Sequence, residues 1–413
     1  MTVPDRSGHS VARIATYLLL LINCLAPMAA IVVAPSLPQM QAHFADVPNV
    51  QFLVPISLAV PGLMVALLGP LMGIVADRMG RKRLLLLAMV GYGCTGVLPL
   101  FLESLHAIII SRILLGCMEA VVVTISTTLI GDYYSGALRQ RYLALQTTFA
   151  ASSAILFFMI GGALGELGWR MPYMVYVVAL VMAVFAYFLL WEPQRQSLSA
   201  EDAQNASQQA KAFRPALLAV ICLVTLVGGV AFMVLQIQLA YMLRDIGQAS
   251  PSTAGMIASA CSVMIVLGTL SVHLLLRLKL RIPHCLALAF GLIGCSFLLV
   301  PWADRASLIL LVALINGLGC GLMLPSLAIW NMRELPWQRR AFGTGAWYGS
   351  YSLGAFLSPI LVVAVTAHTR GLAATVGLAA WVLLPMAVIA LLCAFCSRPR
   401  IGFPFAARNV EEA

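Results

Sequence analysis

Apolar residues fall in long, nearly unbroken runs along this chain, separated by short polar stretches. About 20 mostly apolar residues are needed to cross roughly 30 Å of hydrocarbon. Runs of that kind lie near 14–35, 52–75, 84–102, 105–130, 142–164 and 172–191. Six more lie near 215–240, 253–276, 284–302, 306–330, 341–366 and 372–396. The pattern predicts an all-α membrane protein with 12 transmembrane helices.

One hydrophilic stretch breaks the series, Trp191–Arg214, rich in Gln, Ser, Ala and charge. It suits a solvated linker with one amphipathic turn. It divides the chain into 1–190, a linker over 191–214, and 215–413, with six runs on either side. A repeat with a period near 200 residues supports the division. The basic loop at Arg78–Arg83 is answered by Arg277, Lys279 and Arg281, and Arg139 and Arg141 by Arg339 and Arg340. Gly116-Cys117 in the fourth run is answered by Gly319-Cys320 in the tenth. Two pseudo-symmetric six-helix bundles of the same orientation are expected, with a binding site between them at mid-membrane and rocking of one against the other.

Charge orients the chain. Of 25 Lys and Arg, the N-terminal stretch holds Arg6 and Arg13, and the loop after the second run holds Arg78, Arg81, Lys82 and Arg83. Arg139, Arg141, Arg195, Lys211, Arg214, Arg277, Lys279, Arg281, Arg333, Arg339, Arg340, Arg398, Arg400 and Arg408 follow the later even-numbered runs. The intervening loops hold only Arg170, Arg244, Arg305 and Arg370. Cationic loops resist translocation, so the rich side is expected to be cytoplasmic, with both termini inside. The setting expected is a cell membrane, a bacterial inner membrane, and the chain is expected to act as a monomer.

Composition, 62% hydrophobic and 10% charged, excludes a soluble domain of this length. The net charge of +10 is accounted for by topology and anionic lipid, so no nucleic-acid partner is expected. The ten cysteines sit mainly in apolar runs as small hydrophobes, and the Cys393–Cys396 pair reads as packing. Arg6 and Arg13 before an apolar stretch resemble a signal peptide, but the run continues through Ala34 and is read as a retained first helix.

Gly73-Ile74-Val75-Ala76-Asp77-Arg78-Met79-Gly80-Arg81-Lys82-Arg83, between the second and third runs, resembles the signature of the major facilitator superfamily, G-x-L-a-D-R-x-G-R-K/R. With the 12 runs and the central linker, the resemblance covers essentially the whole chain. It implies the major facilitator fold. Asp77 at a span end can pair with basic groups and a helix N-terminus, so Gly73, Asp77, Arg78, Gly80 and Arg81 are expected to form a conformational latch. Asp132, Arg139 and Arg141 resemble the matching acidic and basic loop. The alternative is that these charges only set topology. Arg112 with Gly116 resembles the R-x-x-x-G of proton-coupled members, and Gly165-Glu166-Leu167-Gly168-Trp169-Arg170 the turn after the fifth span of many drug exporters. One departure is that Phe157-Phe158 stand where exporters carry Gly-Pro ahead of Gly161-Gly162.

Among 15 Asp and Glu, Glu119 alone lies well inside an apolar run. An unpaired charge at the bilayer centre costs on the order of 3 kcal/mol, so such an acid should be paired, protonated or functional. Arg112 is two helical turns earlier, about 10 Å away on the same face. Glu119 is the candidate proton carrier and Arg112 its tuning partner; the alternative is a static contact with a Ser, Thr or Tyr. Asn23, Gln236, Gln238, Asn316, Tyr348 and Tyr351 are candidate cavity residues, each also readable as a helix-packing group or interfacial aromatic.

Other chemistries find no support. Val90-Gly91-Tyr92-Gly93 looks like a channel filter but lies within a continuous run, and reads as helix packing. There is no H-E-x-x-H, no G-x-S-x-G and no ATP-binding loop, so an enzyme is not expected. No metal and no cofactor beyond a proton gradient is implied. The expected function is a secondary carrier exporting small organic, amphipathic compounds in exchange for protons, with proton-coupled uptake of a metabolite as the alternative.

Overall fold

The computed structural model describes residues 3–4, 10–11, 13–134, 136–192, 215–335 and 340–396. It is helical throughout, apart from a two-residue pairing of Val3–Pro4 with Ser10–Val11. The first half contains α1 (Arg13–Asn23), α2 (Leu25–Ile31), α3 (Leu37–His43), α4 (Val50–Met79), α5 (Arg81–Val97), α6 (Leu105–Tyr133), α7 (Gly136–Glu166) and α8 (Val177–Leu189). The second contains α9 (Pro215–Asp245), α10 (Pro251–Arg277), α11 (Ile282–Leu299), α12 (Ala306–Glu334), α13 (Arg340–Thr366) and α14 (Leu372–Cys396). Among the described residues, 12 segments are long and apolar enough to cross a membrane.

The first span is composite. It runs through α1, α2, a 3-10 turn at Ala34–Ser36 and α3. Proline lacks the backbone donor a helix interior needs, and Pro27, Pro35 and Pro38 recur along this stretch. Most other helices outrun their apolar stretch. Once a helix exists, each added residue gains a hydrogen bond, so it continues to a stop signal. For α4 the stop is Gly80, at φ 89°, a conformation that favours glycine. The expected amphipathic turn of the linker lies outside the described residues.

Neighbour relations repeat between the halves. α4 packs on α6 as α10 packs on α12, and α5 lies against α6 and α8 as α11 lies against α12 and α14. The first span packs on α7 as α9 packs on α13. Small residues let the backbones approach. A Cβ on Gly116 of α6 would sit 2.6 Å from the Pro61 Cα of α4, and one on Gly317 of α12 would sit 2.4 Å from the Cys261 carbonyl oxygen of α10. Gly317 is therefore the spatial counterpart of Gly116; Gly319 faces Ile293 and Ala289 of α11 instead. The Val90–Gly93 string lies inside α5, where Gly93 meets Leu180 of α8.

The two sixes meet along α7 with α10 and α4 with α13. At the end away from the basic loops, the 3-10 turn and α3 of the first span also touch α9. Toward the basic-loop end, Cβ atoms on Gly345 and Gly349 of α13 would meet nothing within 4 Å.

Candidate substrate and coupling site

Among the described residues, the buried arginine and the buried acid both lie on α6. Glu119 is 6% exposed and Arg112 is 2% exposed. No ion pair joins them among the described residues. The Nη2 of Arg112 donates to the carbonyls of Thr95 and Gly96, each at 3.0 Å, at the end of α5. Its guanidinium lies 5.1 Å from the ring centres of both Tyr173 and Tyr176. Those carbonyls have no intrahelical partner at a helix C-terminus, so a fixed cation suits the place. Arg112 thus staples the fourth span to the third and sixth. Its Nε and Nη1 have no hydrogen-bond partner among the described residues.

Glu119 has been left without such partners. Its Oε2 is buried and unbonded among the described residues. Arg112, Tyr92, Tyr176 and Tyr348 all lie near enough to the carboxyl to feel a charge placed on it. Tyr92 and Tyr176 lie 5.7 Å apart, and their hydroxyls donate to the carbonyls of Leu25 (2.6 Å) and Ala29 (3.0 Å) in α2. Tyr348 belongs to α13, in the other half. It is 42% exposed.

Around Tyr348 the second half presents a row of aromatic rings. Tyr351 is 6.3 Å from Tyr348, Trp347 is 6.4 Å from it, and Phe232 of α9 is 5.9 Å from Tyr351. The buried Nε1 of Trp347 has no partner among the described residues. Asn23 is partly exposed next to the break at Cys24, and Gln236 is partly exposed on α9. Gln238 is buried, with its Nε2 unbonded among the described residues. Asn316 is fully buried and donates to Ser296 Oγ at 3.1 Å, tying α12 to α11.

The signature loop forms a cluster at the basic face. Arg81 pairs with Asp132 at the end of α6. Glu192, just after α8, accepts from the backbone N–H of Arg81 (2.5 Å) and Lys82 (2.8 Å), capping α5. Lys82 Nζ donates to the Tyr187 carbonyl, and the Tyr133 hydroxyl donates to that of Trp191 while the two rings stack at 4.3 Å. Arg139 lies beside Gly131, while Arg78 and Arg141 are exposed. The side chains of Asp77 and Arg340, and all of Arg339, lie outside the described residues; Gly73 sits within α4. Sequence reasoning missed Glu192, because its partners are more than 100 positions away. It also missed Tyr92, Tyr176, Trp347 and Phe232, which look like ordinary apolar-run residues.

Three kinds of likeness agree with this architecture. The family model described as Major Facilitator Superfamily matches residues 19–277. The minor myo-inositol transporter IolF of Bacillus subtilis is 24% identical over 311 residues, covering 70% of this chain and 68% of that protein. The class B tetracycline resistance protein of Escherichia coli is 26% identical over 178 residues, 43% of this chain and 44% of that protein. The multidrug efflux pump LfrA of Mycolicibacterium smegmatis is 32% identical over 111 residues, 27% of this chain and 21% of that protein. Among solved structures, a D-xylose-proton symporter superposes with a TM-score of 0.69 at 15% identity, covering 93% of this chain and 97% of that one. A peptide transporter (POT) with bound sulfate superposes at 0.72 and 15% identity, covering 95% and 96%. By its signature loop, its paired sixes of helices and the matched family model, the chain is a member of the Major Facilitator Superfamily of transporters.

Proposed function

We propose that this chain is a proton-coupled carrier that exports small organic, amphipathic compounds by alternating access, with the bundles at 1–190 and 215–413 as the moving parts. The single observation that carries the coupling reading is Glu119, a buried carboxyl in the fourth span with an oxygen that has no hydrogen-bond partner among the described residues. Arg112, which would otherwise neutralise it, is committed to two carbonyls and two rings. A carboxyl in that position gains or loses a proton as its surroundings change, and each form favours a different arrangement of the halves. Asp77, Arg81, Asp132 and their neighbours act in this reading at the cytoplasmic face, the side rich in Lys and Arg.

Phe232, Trp347, Tyr348 and Tyr351 support the substrate class. Such rings offer large apolar contact with a few polar handles, which suits an amphipathic organic molecule. The relatives named for tetracycline resistance and multidrug efflux point the same way. Proton-coupled uptake is the second reading, supported by the longer match to a myo-inositol transporter and by Phe157-Phe158 in α7. Inside-out vesicles under an imposed pH gradient, tested against a panel of compounds, separate the two. Accumulation of an amphipathic compound driven by an acidic interior supports export; its absence, with proton-driven uptake into right-side-out vesicles, supports import.

A further inference from the structure

At the end away from the basic loops, α7 and α10 meet almost backbone to backbone. A Cβ on Gly162 would lie 2.7 Å from the Pro251 carbonyl oxygen, and one on Gly255 would lie 2.5 Å from that of Phe158. Ser259 Oγ donates to the Ile155 carbonyl at 2.8 Å, deeper along the same seam. At its outer limit stands Glu166, the last residue of α7. Its Oε1 accepts from Ser250 Oγ at 2.5 Å and from the backbone N–H of Ser252 at 3.0 Å. Ser250 is the N-cap of α10 and itself accepts from the Thr253 N–H. The carboxylate of one half thus caps the first turn of a helix in the other.

We propose that Glu166 is a gate latch, holding the two halves together on the face away from the basic loops, and that its contacts with Ser250 and Ser252 must break for that face to open. The inference rests on the alternating-access reading above. Three physical points support it. An ionised carboxylate on backbone N–H groups makes hydrogen bonds about twice as strong as neutral ones. It also meets the positive end of the α10 dipole. Finally, the side chain is exposed, so water can take over its bonds once the seam parts. The glycine seam supplies close contact without directional bonds, whereas Glu166 supplies a bond that is either made or broken.

The test is hydrogen–deuterium exchange on the full chain in nanodiscs, comparing wild type with Glu166→Ala, Glu166→Gln and Ser250→Ala. Loss of a charge-assisted bond predicts about tenfold faster exchange at Ser252, Thr253 and the last turn of α7 in Glu166→Ala. Glu166→Gln, which keeps an acceptor without the charge, should fall between. Glu166→Ala and Ser250→Ala share only the Glu166–Ser250 bond, so the double variant should fall short of the sum of the two, while Ser250→Ala alone also frees the Thr253 N–H and leaves the Glu166–Ser252 bond in place. Amides of Arg81–Leu84 at the opposite face should not change. Unchanged exchange at the seam, or an equal rise at Arg81–Leu84, would overturn the latch. Missing solute flux in wild type would overturn the transport reading and leave the exchange comparison intact, so the two failures are distinguishable.

Discussion

Arg112 and Glu119 share one helix, two turns apart, yet the arginine spends its hydrogen bonds on the Thr95 and Gly96 carbonyls rather than on the carboxylate. The consequence is a division of labour within α6. The cation fixes three spans together, and the acid keeps an oxygen with no hydrogen-bond partner among the described residues.

Replacing Arg112 should therefore damage stability more than coupling. Arg112→Ala leaves two helix-terminal carbonyls without their donor and removes the cation from two rings, a cost of about 2–4 kcal/mol. Arg112→Lys keeps the charge but loses the planar fork, and should lie between. Thermal melts of purified protein check the order, with wild type above Lys and Lys above Ala.

Glu192 should matter to the signature loop although it stands beyond it in sequence. Glu192→Ala frees the N–H groups of Arg81 and Lys82, which loosens the first turn of α5 by about 1–2 kcal/mol. Faster deuterium uptake confined to Arg81–Leu84 is the expected reading. Arg81→Ala and Asp132→Ala should be non-additive in stability, because they remove one ion pair.

Glycine substitutions should separate packing from conformational need. A Cβ on Gly161 would lie 2.0 Å from the Val32 carbonyl oxygen, whereas one on Gly62 would meet nothing within 4 Å. Gly161→Ala is expected to lower the melting temperature by pushing the first span from α7. Gly62→Ala should be neutral or stabilising by up to about 1 kcal/mol, as expected for a helix interior with room.

Much of this molecule was readable from the chain. The apolar runs gave all 12 spans, since a hydrocarbon slab imposes a length that composition alone reveals. The ends of helices were less legible: α4 stops at Gly80 and α9 continues to Asp245, because stop signals and hydrogen-bond gain decide there rather than hydropathy. At the site, Glu119 and Arg112 stood out as charges where charges are costly. The partners of Arg112 could not be read, because backbone carbonyls carry no residue-type signal. Asn316 and Tyr348 looked alike as polar positions in spans, yet one is buried and locked onto Ser296 while the other is exposed beside Trp347 and Tyr351. Only packing separates them. The Glu166 contact was hidden for the same reason as that of Glu192, its partner lying 84 positions away.

The most direct test of proton coupling is transport by Glu119→Gln in proteoliposomes, measured both as uptake driven by a pH gradient and as exchange of labelled for unlabelled substrate without one. The amide keeps the shape and removes the titratable group. Gradient-driven accumulation should fall to the level of empty liposomes while exchange persists and the melting temperature holds. Accumulation equal to wild type would contradict the account.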